Sequence, residues 1–218
     1  MSNEIIKRII SSIILIPVAL FFIVKGTFFF NFFILICFII IALEWYMMTK
    51  NKLYSVFGLL FLILSFYSIY KLRNDFVGDY KYILLITLIC VSTDVGGYLF
   101  GRLFKGPKLT KLSPNKTYSG MIGGYFLAII STTIFYNSDL FFFKPVDATL
   151  NILIFIILVS SVSQLGDIFI SFFKRLSKIK DTGKIIPGHG GLLDRADGMI
   201  FAYPFSYIIL KLEIFQYF

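Results

Sequence analysis

The sequence predicts an all-α polytopic membrane protein with about seven transmembrane helices and two basic cytoplasmic loops. Three observations carry that expectation. Hydrophobic residues fill 58% of the 218 positions and charged residues 15%, against about 25% charge in soluble domains, and the mean hydropathy is +0.86. Apolar segments of spanning length recur along the whole chain, and Lys and Arg gather in alternate connections between them. A chain this short and this apolar cannot hide its surface from water in its own interior, so lipid must serve as part of its solvent.

The candidate spans are residues 9–24, 27–46, 53–70, 82–100, 121–136, 151–173 and 199–215. The first follows Lys7 and Arg8 as a signal peptide would, but it lacks a small-residue cleavage site and reads as a retained helix. Phe-rich runs such as residues 28–33 lack the alternation of a membrane barrel, so the 27 phenylalanines speak for lipid contact. At about 20 residues per span there is room for one membrane unit and short connections. Residues 1–80 are expected to form three N-terminal spans, and residues 81–218 a transmembrane domain that holds the unusual polar residues and with them any catalytic function. Cys37 and Cys90 lie inside apolar runs, away from any disulfide or zinc pattern.

The 21 Lys and Arg exceed the 12 Asp and Glu, for a net charge of +9. In a membrane protein this reflects the positive-inside bias, not a nucleic-acid partner. With the amino terminus in the cytoplasm, 15 basic residues fall on that side and 6 elsewhere. The two large basic loops, residues 102–119 and 174–195, then both face the cytoplasm of a bacterial-type inner membrane.

Each loop follows a span carrying an aspartate, Asp94 or Asp167, at similar depth. A carboxylate there costs several kcal/mol unless it is paired or faces a water-filled cavity, so both point to function. Glu44 lies nearer a span end and reads as structural, snorkelling or pairing with Lys50 or Lys52. Beyond Asp94, Gly96 and Gly97 allow close helix approach, and Arg102 is either a topology anchor or a phosphate ligand. Ser113, Pro114, Lys116 and Thr117 stand before a helix start, where hydroxyl and ammonium donors serve equally as a phosphate site or as a cap.

The second loop alternates cations, glycines and carboxylates: Lys174, Arg175, Lys180, Asp181, Lys184, Pro187, Gly188, His189, Gly190, Gly191, Asp194, Arg195 and Asp197. The cations and open backbone suit phosphate oxygens. Asp194 and Asp197, three apart, suit a divalent cation, and Asp167 would complete an oxygen set for magnesium. His189 reads either as a ligand or general acid, or as a turn residue between glycines.

In type and spacing this loop, together with Asp94, Tyr98, Gly101, Arg102, Ser113, Pro114, Lys116 and Thr117, resembles the signature of the phosphatidate cytidylyltransferase (CDP-diglyceride synthase) family. The resemblance covers residues 94–197. It implies transfer of a cytidylyl group from CTP to phosphatidic acid, giving CDP-diacylglycerol and pyrophosphate, with magnesium alone or with a second metal ion. It further implies a metal centre at Asp167, Asp194 and Asp197 and catalytic roles for Asp94, Lys116, Lys174, Asp181 and His189. Arg102, Ser113, Thr117, Arg175, Lys180, Lys184 and Arg195 would bind substrate. Membrane lipid is the remaining partner, and the sequence leaves open whether copies form a homo-oligomer. Two positions depart from the family, which usually has an acid where this chain has Ser119 and another where it has Ile170.

A cation-coupled transporter is the alternative from a different class, and the lack of an internal repeat speaks against it. Another membrane lipid phosphotransferase is the enzymatic alternative, for which neither a Walker loop nor a paired-aspartate helix is present.

Overall fold

The computed structural model describes residues 3–76, 80–110, 113, 116–137, 149–188 and 190–214. Its helices are α1 (Asn3–Lys25), α2 (Thr27–Thr49), α3 (Tyr54–Asn74), α4 (Tyr80–Phe104), α5 (Tyr118–Asn137), α6 (Thr149–Leu176), α7 (Leu193–Ala196) and α8 (Met199–Lys211). Among the described residues, β structure is limited to two isolated bridges, Lys108 with Thr117 and Ile186 with Gly190.

Among the described residues, five helices are long and apolar enough to cross a membrane: Phe28–Thr49, Tyr54–Asn74, Tyr80–Phe104, Tyr118–Phe135 and Leu150–Leu176. Two shorter apolar helices, Ile13–Lys25 and Met199–Lys211, stand where the first and last of the seven expected spans were placed. The 13 residues of α8 rise only about 20 Å against a hydrocarbon core of about 30 Å. By contrast the 28 residues of α6 rise about 42 Å, enough for its last turn, with Lys174 and Arg175, to outreach that core.

Leu72, Leu85, Ile86, Ile89 and Phe155 are fully buried and form the centre of the bundle. The closest pair is α4 with α5, and glycine makes it so. A Cβ on Gly96 would lie 2.4 Å from the Gly123 carbonyl oxygen, and one on Gly120 would lie 2.7 Å from the Gly97 carbonyl. No larger residue permits that approach without moving backbone.

Chain reversal brings the end of α2, the start of α3, the α4–α5 connection and the end of α6 to one end of the bundle. Ser177 Oγ donates to the Met48 carbonyl at 2.8 Å, and Ser11 Oγ to the Pro187 carbonyl at 3.2 Å. The opposite end is closed by Arg73, which donates to the Ile23 carbonyl at 2.5 Å and lies over the Phe30 and Tyr80 rings. A buried cation there is satisfied by backbone and aromatic faces.

Candidate active site

The α4–α5 connection folds back on itself and delivers Lys116. The Leu109 amide donates to the Lys116 carbonyl at 2.7 Å, and the Tyr118 amide to the Pro107 carbonyl at 3.1 Å. Thr117 then caps α5, its Oγ1 accepting from the Gly120 amide at 3.1 Å and lying 3.0 Å from Ser119 Oγ. Ser119, at the first departure, donates to the Lys105 carbonyl. It therefore tethers the connection.

Thus held, Lys116 Nζ reaches Asp167 Oδ2 at 2.5 Å and the Gln164 carbonyl at 3.4 Å. Asp167 lies on α6 opposite the α7–α8 junction, and small residues set that distance. A Cβ on Gly166 would lie 2.6 Å from the Phe201 ring, and one on Gly198 would lie 2.3 Å from Ser163 Oγ. Asp197 consequently sits close to Asp167, near enough for the two carboxyl groups to act on each other. Burial first, and the Asp167 charge second, push Asp197 well above the usual carboxylate range. Asp94 is in electrostatic reach of Asp167, Lys116 and Arg195.

Asp194 is placed differently. Its Oδ1 accepts from Lys174 Nζ at 3.0 Å, and its Oδ2 accepts from the amides of Thr182 at 2.8 Å and Gly191 at 2.9 Å. This side chain is 5% exposed and that of Lys174 13%. Asp194 thus holds the loop, and among the described residues no group of three His, Cys, Asp or Glu side chains is gathered as a metal site. Gly190, at φ 87°, makes the turn beside it: a Cβ there would lie 2.7 Å from Asp194 Oδ2 and 3.3 Å from the Asp181 Cβ.

The remaining expected residues are more peripheral. Arg175, Lys180, Asp181, Lys184 and Arg195 are exposed. Arg102 is exposed and donates to Tyr98 Oη at 3.0 Å. Ser113 is half-buried, its amide donating to Thr110 Oγ1 at 3.1 Å. His189 and Pro114 lie outside the described residues.

Two further residues belong to the site, Glu44 and Thr182. Glu44 is fully buried, and its partners are not Lys50 or Lys52, which are exposed. It accepts from Thr182 Oγ1 at 3.1 Å and from the amides of Leu192 at 3.0 Å and Leu193 at 2.7 Å. The signal available was a carboxylate inside an apolar span, weakened by the nearby lysines.

Ile170, the second departure, turns away from the carboxylates. It is buried and lines an apolar cavity of about 260 Å³ with Trp45, Tyr54, Phe173, Ile200 and Phe201 among others. Asp167 therefore draws its carboxylate neighbours from other helices and not from its own.

Comparison with known proteins accounts for this arrangement. The model of the cytidylyltransferase family matches residues 54–213, from the start of α3 to just past α8. The chain belongs to this family. A phosphatidate cytidylyltransferase from Rickettsia bellii (strain RML369-C) is 34% identical over 211 residues, covering 93% of this chain and 89% of that protein. One from Staphylococcus haemolyticus (strain JCSC1435) is 38% identical over 180 residues, 78% of this chain. One from Staphylococcus aureus (strain COL) is 36% identical over the same length. The chain spans 65% of the length of each of these two staphylococcal relatives.

Proposed function

We propose that this membrane protein transfers a cytidylyl group from CTP to phosphatidic acid, as the names of its relatives describe. A phosphate oxygen of phosphatidate attacks the α-phosphorus of CTP, and the bond from that phosphorus to the β-phosphate oxygen breaks. The products are CDP-diacylglycerol and pyrophosphate. The lipid brings its own anionic nucleophile, so the protein's task is to neutralise charge and align the reacting groups. The observation that carries this reading is the Lys116–Asp167 pair, with Asp94 and Asp197 in electrostatic reach of Asp167, set beside a loop rich in cations.

The donor set fits magnesium. A hard cation is commonly held by one or two carboxylates together with substrate phosphates, and Asp167 and Asp197 provide two close together, one of them buried. These two would hold the ion, with Asp94 beside them, and it would supply Lewis-acid neutralisation of phosphate oxygens. Asp194 enters indirectly: its pairing holds Lys174 at the loop. Lys116 and Lys174 face the phosphates, and the exposed Arg175, Lys180, Lys184 and Arg195 draw the nucleotide in. Asp181, exposed on the same loop, and His189 are assigned catalytic roles with them.

Purified protein in lipid micelles, given CTP, phosphatidate and magnesium, should release pyrophosphate and form CDP-diacylglycerol. Failure to form either product would remove the assignment. The site faces the cytoplasm, the source of CTP, and this has its own check. Lys108→Cys and Lys178→Cys, in a background without Cys37 and Cys90, should resist impermeant thiol reagents in intact cells and react after permeabilisation. Labelling of either site in intact cells would reverse the orientation.

A further inference from the structure

From the hydrogen bonds of Glu44 we infer that it is a positioning residue, supplied by α2 from outside residues 54–213, that sets the geometry of the loop carrying Lys174's partner Asp194 and the adjoining Asp197. The inference rests on the functional reading above for its kinetic arm only.

Glu44 lies 138 to 149 residues from the groups it binds, and it uses both oxygens. One accepts from Leu192, the other from Leu193 and from the Thr182 hydroxyl. Leu192 and Leu193 open the short turn α7, which carries Asp194 and leads into Asp197. No side chain of the turn's own cap residue bonds its amides, so a carboxylate from another helix performs that capping. Thr182 joins the two halves of the loop: its amide donates to Asp194 and its hydroxyl to Glu44. The backbone closes on the carboxylate at two glycines. A Cβ on Gly183 would lie 2.5 Å from Glu44 Oε1, and one on Gly191 would lie 2.5 Å from Oε2.

An acceptor-only group is what this environment requires, because all three protein groups facing Glu44 are donors. Glutamine keeps the shape but turns an amide NH₂ towards an N–H or O–H donor, so one side of the loop must move away. A shift of about 1 Å in a catalytic constellation costs on the order of a hundredfold in rate. Glu44 has no route to the reacting phosphates except through this loop, and its effect should therefore fall on kcat.

The test uses the full chain in lipid micelles, as wild type, Glu44→Gln, Glu44→Asp, Thr182→Val and the Glu44→Gln/Thr182→Val double variant. Amide exchange, thermal unfolding, and kcat and KM for CTP are measured on each. In Glu44→Gln the amides of Leu192 and Leu193 should exchange about tenfold faster or more, with those of α4 and α5 unchanged. The kcat per folded molecule should fall about tenfold or more, with a smaller change in KM. Glu44→Asp should recover part of the loss, and the double variant should lose less than the product of the single losses. Unchanged exchange at Leu192 and Leu193 would overturn the inference. So would a Glu44→Gln protein that is less stable but turns over normally once folded, which is the signature of a purely structural contact. If the wild type makes no CDP-diacylglycerol, the functional reading fails, and the exchange experiment still decides whether Glu44 places the loop.

Discussion

Asp194 and Asp197 are three residues apart, yet their surroundings are opposite. Asp194 accepts from an ammonium and two amides, and its neighbour Glu44 accepts from a hydroxyl and two more amides. Asp197 has the adjacent Gly198 amide at 3.0 Å and otherwise feels Asp167 most strongly, with the favourable charge of Lys174 and then Asp94 also acting on it. Where donors saturate a buried carboxylate, its charge is spent on structure. Where carboxylates face one another in a low dielectric, a cation brought by substrate or metal would relieve them. The first group holds the loop, and the second, with Lys116 paired to Asp167, is the one we propose as the site.

The sharpest way to break this comparison is to remove charge from the second group. Asp167→Asn and Asp197→Asn should each lower cytidylyl transfer on the order of a hundredfold or more. The unfolding temperature of Asp197→Asn should stay level or rise, since it relieves repulsion with Asp167, whereas Asp167→Asn also strips Lys116 of its partner and should lose some stability. Near-normal turnover with lost stability would show that both groups are scaffold. The mirror experiment is Asp194→Asn, which strips the buried Lys174 of its counter-charge. A cost of about 3–5 kcal/mol in stability is expected from breaking such a pair, read by thermal unfolding in micelles, and an Asp194→Asn protein as stable as wild type would contradict the division.

Smaller effects test the edges of the two groups. Ile170→Glu restores an acid where the family usually has one, but the side chain enters an apolar cavity among Trp45, Phe173 and Phe201. It should cost about 2 kcal/mol of stability without raising turnover, and a variant faster than wild type would place a carboxylate requirement on that face. Thr117→Ala removes the cap of α5 and should cost about 1 kcal/mol. Through the slackened connection it should raise KM for CTP modestly, and a stability equal to wild type would show that the cap is dispensable.

Much of the fold was legible because its determinants are short-range. Apolar runs of spanning length marked the helices, and residues 113–117 carried the chemistry of a helix start. The intramembrane aspartates and the 174–197 loop stood out because lipid leaves them unexplained. The end of the last apolar segment, residues 199–215, was less legible, since its apolar run continues past the point where α8 ends at Lys211. Glu44 was misassigned because sequence proximity favoured Lys50 and Lys52, while its true partners lie more than a hundred residues away.

The sequence by itself determined the lipid environment, the helical class, the basic loops and the inventory of carboxylates, because hydropathy and helix ends depend on neighbours a few residues apart. Only the tertiary structure decided which carboxylate is neutralised and which is not. That outcome depends on donors brought together from α2, α6 and the 182–193 loop, and on glycines that let backbones close to within hydrogen-bonding distance. In a buried site an ångström of approach changes the electrostatic balance by more than any local pattern in the chain can signal.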